Sequence, residues 1–217
     1  MSGPTTSSLP PRSRARLSVL KKYRARGRRN FNLWLVYSPK LDADLALSSD
    51  VELVYWLYYL ERDRCIVSFE VLEKKEYSDP DFLIETRNGT RQKVWLSEDV
   101  RPYGANVHGD ADNSMGVWIR PSEIIKHSVE AQRFLKPIAF AAAIRDAQYT
   151  AISNSLVTFE HLEKHADLRH TLSTLSNFDP AVICGVLMRH VSQGFIELDL
   201  TQASFGFNTI WRLCSDD

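Results

Sequence analysis

Nine basic side chains stand within eighteen residues near the N-terminus: Arg12, Arg14, Arg16, Lys21, Lys22, Arg24, Arg26, Arg28 and Arg29. Their chemistry is that of phosphate neutralisation, in which each contact releases counterions condensed on a nucleic acid. With Lys40 the first 40 residues carry +10 and no Asp or Glu, while the rest holds 17 basic against 27 acidic groups, −10. The formal net charge of zero therefore conceals a basic arm on an acidic body, and the distribution says more than the total. Scattered Leu, Val and Tyr from Ser13 to Arg29 suit a short helix or an extended arm that binds DNA. The other reading is a solvated tail that meets any acidic surface.

The remaining reactive types form no site of their own. His161, His165 and His170 lie within ten residues, and the first two fall one turn apart if they share a helix. His-Leu-Glu-Lys-His, however, lacks the flanking pattern of a metalloprotease and a third ligand, so surface histidines are expected. Cys65, Cys184 and Cys214 are few, odd in number and without zinc spacing, which fits reduced thiols in a cytosolic chain. Ser38, Ser97 and Ser155 carry no glycine elbow.

These groups need elements to hold them. At 217 residues, 44% hydrophobic and 25% charged, the chain is long and apolar enough for a sizeable core. No run approaches the roughly 18 apolar residues of a membrane span, and no secretory signal is visible behind the Pro/Ser-rich residues 1–13, which read as a disordered leader. Residues 33–38 predict a strand closed by Pro39, and Ser48-Ser49-Asp50 caps a helix over 51–60 that is apolar nearly all round and so buried. Glu52 falls in its first turn, where the helix dipole favours an anion. A strand follows at 65–71, then 82–87 and 90–96 flank Asn88-Gly89 as a hairpin. Residues 101–117 read as loop, with a strand at 117–120 and a helical stretch over 121–147.

Beyond a boundary near residue 150, helices at 156–164, 168–176 and 180–192 precede strands at 195–200 and 207–213, a winged-helix pattern. In its third helix only Arg189, His190 and Gln193 are suited to touching DNA, and Cys184 belongs to the core. With an acidic body, this unit reads as a protein-binding platform rather than a sequence reader. The parsing is thus a basic arm over 1–29, a first domain over 30–150 and a winged-helix-like domain over 151–217. The fold class is α/β (α+β), a mixed sheet flanked by helices with a small second unit.

The run Trp34-Leu35-Val36-Tyr37-Ser38-Pro39-Lys40, the helix start Ser49-Asp50-Val51-Glu52, the strand Ile66-Val67-Ser68-Phe69-Glu70 and Pro80-Asp81-Phe82 carry a resemblance. In order and spacing they resemble TnsA-type endonuclease subunits of bacterial heteromeric transposases over roughly residues 30–100. That family has a restriction-endonuclease-like PD-(D/E)XK domain followed by a winged helix. The resemblance implies Glu52 and Asp81 as catalytic, metal-binding carboxylates, with Mg2+ or Mn2+ as cofactor if the site is live. It also implies a third acid and a lysine, which fall near Trp95 and Ser97, residues unable to serve. Gln92 comes too early and Asp99-Val100-Arg101 too late, while Glu85 shares the Asp81 strand face by parity and reads as solvent-facing.

The expectation is a DNA-binding accessory subunit of a transposon or related mobile element, its nuclease domain catalytically degenerate and without a required cofactor. Its implied partners are DNA, a transposase or integrase and an ATPase regulator, in a bacterial, nucleoid-associated cytoplasmic setting with no membrane. The alternatives are an active metal-dependent endonuclease that cuts transposon ends, and a non-enzymatic interaction module with a basic arm.

Overall fold

In the computed structural model the described residues are 32–72, 76, 78–98, 115–162 and 165–214. The basic arm, Asp99, Arg101 and most of the expected 101–117 loop lie outside them. Two short strands come first, β1 (Trp34–Ser38) and β2 (Ala43–Leu47), paired antiparallel. The expected helix then appears in two parts, α1 (Asp50–Tyr55) and a π-helix (Trp56–Leu60). Their apolar circumference is buried as the sequence requires, with Leu53, Val54, Tyr55, Trp56, Leu57 and Leu60 all in the core.

A four-stranded mixed sheet follows. Strands β3 (Ile66–Val71), β4 (Phe82–Thr86) and β5 (Arg91–Leu96) form an antiparallel meander, and β6 (Met115–Ile119) lies parallel to β5. Asn88-Gly89 makes the β4–β5 turn, with Gly89 at φ +81°, a conformation that suits glycine. A parallel pair needs a crossover of about a dozen residues or more, and residues 97–114 supply that length.

The expected helix over 121–147 is two helices, α2 (Pro121–Ile125) and α3 (Ser128–Ala143). Then come α4 (Thr150–Leu162), β7 (His165–Asp167), α5 (Leu168–Thr174), α6 (Pro180–Ser192), β8 (Ile196–Asp199) and β9 (Ile210–Leu213). The helices and strand pair expected for a winged helix are present. The short β7 completes a three-stranded sheet in the order β7–β9–β8. It also corrects the histidine reading: α4 ends at Leu162, so His161 and His165 do not share a helix.

One hydrophobic core runs across residue 150, because α3 packs lengthwise on α6. Gly185 permits that approach: a Cβ there would stand 2.7 Å from the Phe140 carbonyl oxygen and 2.8 Å from Ile144 Cδ1. Gly185→Ala should therefore destabilise the protein by about 1–3 kcal/mol, the range for overpacking a close contact. Urea denaturation reads this, and an unchanged midpoint would refute it. Among the described residues no helix is long and apolar enough to cross a membrane.

Candidate functional site

Asp81 opens β4. Its N–H donates to the Val94 carbonyl at 2.7 Å, its Oδ2 accepts the Leu96 N–H at 2.7 Å, and it is buried. Phe82 and Ile84 point into the core, so Leu83 and Glu85 share the opposite face; Asp81 breaks the alternation, its N–H bonding Val94 on one side and its carbonyl accepting from the Leu72 N–H on the other, which corrects the face expected to be shared by Asp81 and Glu85. Register places Lys93 across from Leu83 and Arg91 across from Glu85. On the same face, β3 adds Ser68 and Glu70, and β6 adds Gly116 and Trp118. Glu85 is exposed and accepts a 3.1 Å bond from Ser68 Oγ.

Where the nuclease pattern calls for a third acid, the face holds an aromatic stack. The Trp95 and Trp118 rings lie 4.6 Å apart and 8° from parallel. The Trp95 indole N–H donates to the Ser78 carbonyl at 2.8 Å, which fixes the ring. Gly116 makes room beneath: a Cβ would meet the Trp118 ring at 2.8 Å. An indole gives a hard divalent cation no oxygen ligand.

Glu52 is engaged elsewhere. Its N–H donates to Ser49 Oγ at 3.1 Å, while its two carboxylate oxygens accept from the Ser48 N–H and Ser48 Oγ, each at 2.6 Å. Ser49 thus caps the Glu52 N–H, an orphan donor at the start of α1, while the Glu52 carboxylate ties down Ser48 just before the N-cap. The residue that α1 does bring to β4 is Tyr55, one turn on. Its ring centroid is 5.1 Å from that of Phe82, and burial, with the nearby Tyr59, Asp63 and Asp81 groups adding, pushes its hydroxyl well above the usual range. Among the described residues no three of His, Cys, Asp and Glu come together as a metal-holding group.

Lys93 is the residue that counting along the sequence passes over. The nuclease spacing points forward to Trp95 and Ser97, whereas period-2 parity puts Lys93 on the same face as Trp95, two residues earlier. Asp81→Ala would leave the Leu96 N–H without its carboxylate and should cost about 1–3 kcal/mol. A thermal melt reads the loss, and an unshifted transition would refute it.

A second polar cluster sits where β1, the π-helix and α6 meet. Glu61 is buried and accepts three donors: Ser38 Oγ at 2.7 Å, Trp56 Nε1 at 2.9 Å and the Lys40 N–H at 2.8 Å. Ser192 Oγ lies close enough to favour the charged form without reaching hydrogen-bond geometry. Burial nonetheless raises the Glu61 carboxyl above its ordinary value. The Lys40 ammonium donates to the Leu60 and Asp63 carbonyls at 2.6 and 2.7 Å. Desolvation pulls its pKa down to about 8, with Glu61 opposing.

The third winged-helix helix departs from expectation. Arg189 donates to the Ala147 and Ile144 carbonyls at 2.7 and 2.5 Å, and His190 is buried with Nε2 3.0 Å from Ser153 Oγ. Neither is available to a DNA groove, because packing on α3 and α4 covers this helix; Gln193 alone of the three is exposed. Cys184 is core, and burial raises its thiol to about 11. No known protein family matches the chain, and no curated protein matches it.

Proposed function

We propose that this chain is a DNA-binding accessory subunit of a transposon or related mobile element, a TnsA-like nuclease fold whose catalytic site has been given up. The basic arm, Arg12 to Arg29, holds DNA, and the body docks a transposase or integrase partner in concert with an ATPase regulator. Its setting is the bacterial cytoplasm, on the nucleoid. The observation that carries the reading is the Trp95–Trp118 stack, which fills the position that the nuclease pattern gives to a third acid, on a meander joined by a parallel fourth strand. That sheet suits a nuclease, yet an indole stands where its pattern calls for a third acid. The +10 arm supports DNA as the ligand.

In chemical terms Asp81 and Glu52 serve the fold, one holding β5 and the other tying Ser48 to the start of α1. Calorimetry with Mg2+ and Mn2+ on wild type and Asp81→Ala, with and without duplex DNA, tests the reading. Its expected outcome is DNA binding by both proteins and no saturable metal binding by either. Metal binding that vanishes in Asp81→Ala, together with DNA cleavage, would replace this reading with that of an active endonuclease.

A further inference from the structure

An open groove of about 620 Å3 lies between the end of the π-helix and the wing, a size within the roughly 300–1,000 Å3 of ligand clefts. Guanidinium groups line it from two sides, Arg62 and Arg64 from the turn after the π-helix and Arg212 from β9. Gly194 brings those sides together at one end. Its φ of +83° suits glycine, and a Cβ there would stand 2.7 Å from Arg64 Cβ and 3.7 Å from Arg87 Nη2. Arg87 therefore joins Arg64 at that end, with Nη2 on the Gln193 carbonyl at 3.4 Å.

Three carboxylates stand against these four arginines. Glu130 takes Arg62 Nη1 at 2.6 Å, and a single oxygen of Glu197 takes both Nε and Nη2 of Arg212, at 2.9 and 2.8 Å. Asp63 turns Oδ1 to the Cys65 N–H at 2.8 Å. A guanidinium has five N–H donors, so Arg62 and Arg212 each have more than these ion pairs use. The surplus of positive charge sits on a body that carries −10 from residue 41 onward. Such a local excess, against the sign of the whole, marks where an anion is attracted.

We propose that this groove binds a phosphomonoester, either a free nucleotide or the phosphorylated end of a DNA strand. A phosphomonoester near neutral pH has three terminal oxygens and close to two negative charges, which suits several forks at once. Arg62 is set before any ligand arrives: its guanidinium lies over the Phe134 ring at 4.4 Å and the Tyr58 ring at 5.1 Å. A fork held by packing loses little freedom on binding. Arg212 is exposed, and Glu197 competes with the ligand for its donors.

Size selects what carries the phosphate. A water molecule takes up about 30 Å3, so the groove has room for far more than a phosphate group. The remainder is walled by Tyr58, Tyr59 and Leu213, all half-buried, a lining that suits a flat organic body such as a nucleoside. A phosphoserine side chain would leave most of that space unfilled. DNA as the source of the phosphate rests on the function proposed above; the phosphomonoester chemistry does not.

The test is calorimetry of the full chain with dTMP and with thymidine. Saturable binding is expected for dTMP and none for thymidine. Arg64→Gln, and independently Arg212→Gln, should each weaken dTMP binding several-fold. Glu197→Gln should tighten it several-fold by releasing Arg212, an effect that a merely structural role for the pair would not produce. A second arm compares 3′-labelled dT oligonucleotides by anisotropy. If strand ends are the source, the 5′-phosphorylated form binds several-fold tighter than the 5′-hydroxyl form, and Arg212→Gln removes the difference. If free nucleotide is the source, the two oligonucleotides bind alike while dTMP binding stands. Equal binding of thymidine, unchanged binding in both arginine variants, no tightening in Glu197→Gln, or tighter binding of a phosphoserine peptide than of dTMP would overturn the proposal. Capture of dTMP without duplex binding would sink the DNA reading alone; duplex binding without dTMP capture would sink this one alone.

Discussion

Replacing Glu61 with alanine should lower the unfolding free energy by about 3–5 kcal/mol, the range for deleting one member of a buried charged network. The carboxylate is 1% exposed and gathers Ser38 Oγ, Trp56 Nε1 and the Lys40 N–H, and the first two of these residues are wholly buried. Alanine leaves those donors with no acceptor and removes the charge that supports the half-buried Lys40 ammonium. Glu61→Gln is the informative companion. Its single oxygen can serve Ser38 and Trp56, but its amide N–H then faces the Lys40 N–H, so an intermediate loss of about 1–3 kcal/mol is expected.

The two variants also differ from wild type in pH dependence. Burial raises the Glu61 pKa in the folded state above its ordinary 4.5. The stability from that tighter proton is fully present below 4.5 and is lost as pH rises through the folded value. Glutamine lacks this contribution, so the gap between wild type and Glu61→Gln should shrink as pH climbs from 4 toward neutrality. Lys40 acts at the other end of the scale. With its folded pKa near 8 against an ordinary 10.5, the unfolded chain holds the proton more tightly between those values. Stability from this group therefore rises with pH across that window. In Glu61→Gln the window should open at lower pH, because the carboxylate no longer supports the ammonium. Melting temperatures from pH 4 to 10 give all of this, and curves offset in parallel would refute the assignment.

Deleting residues 1–29 should cost most of the DNA affinity and flatten its salt dependence. Nine Arg and Lys side chains go with the segment. If six or more of them meet phosphates, the intact chain should lose on the order of 10³-fold or more in affinity between 50 and 200 mM salt. The truncated chain, with a body of negative net charge, should show a slope near zero. Fluorescence anisotropy on a labelled duplex across that salt range measures both. An unchanged slope would place the DNA contact on the body and refute the arm.

Local chemistry in the sequence settled the elements. Ser49 and Glu52 announce the start of α1, Asn88-Gly89 the β4–β5 turn, and Asp179-Pro180 the start of α6, because caps and turns are built within a few residues. The all-round apolar run 51–60 said that its helix is buried. Tertiary structure decided what those elements do. That Trp95 stacks on Trp118 depends on a parallel partner strand some twenty residues away, whose register no local signal carries. Arg189 and His190 are reactive types in sequence, yet packing on α3 and α4 turns them inward, a long-range consequence of Gly185 letting two backbones approach. Glu61 offers no motif at all. Only the meeting of β1, the π-helix and α6 removes it from water, and burial rather than residue type gives it its chemistry.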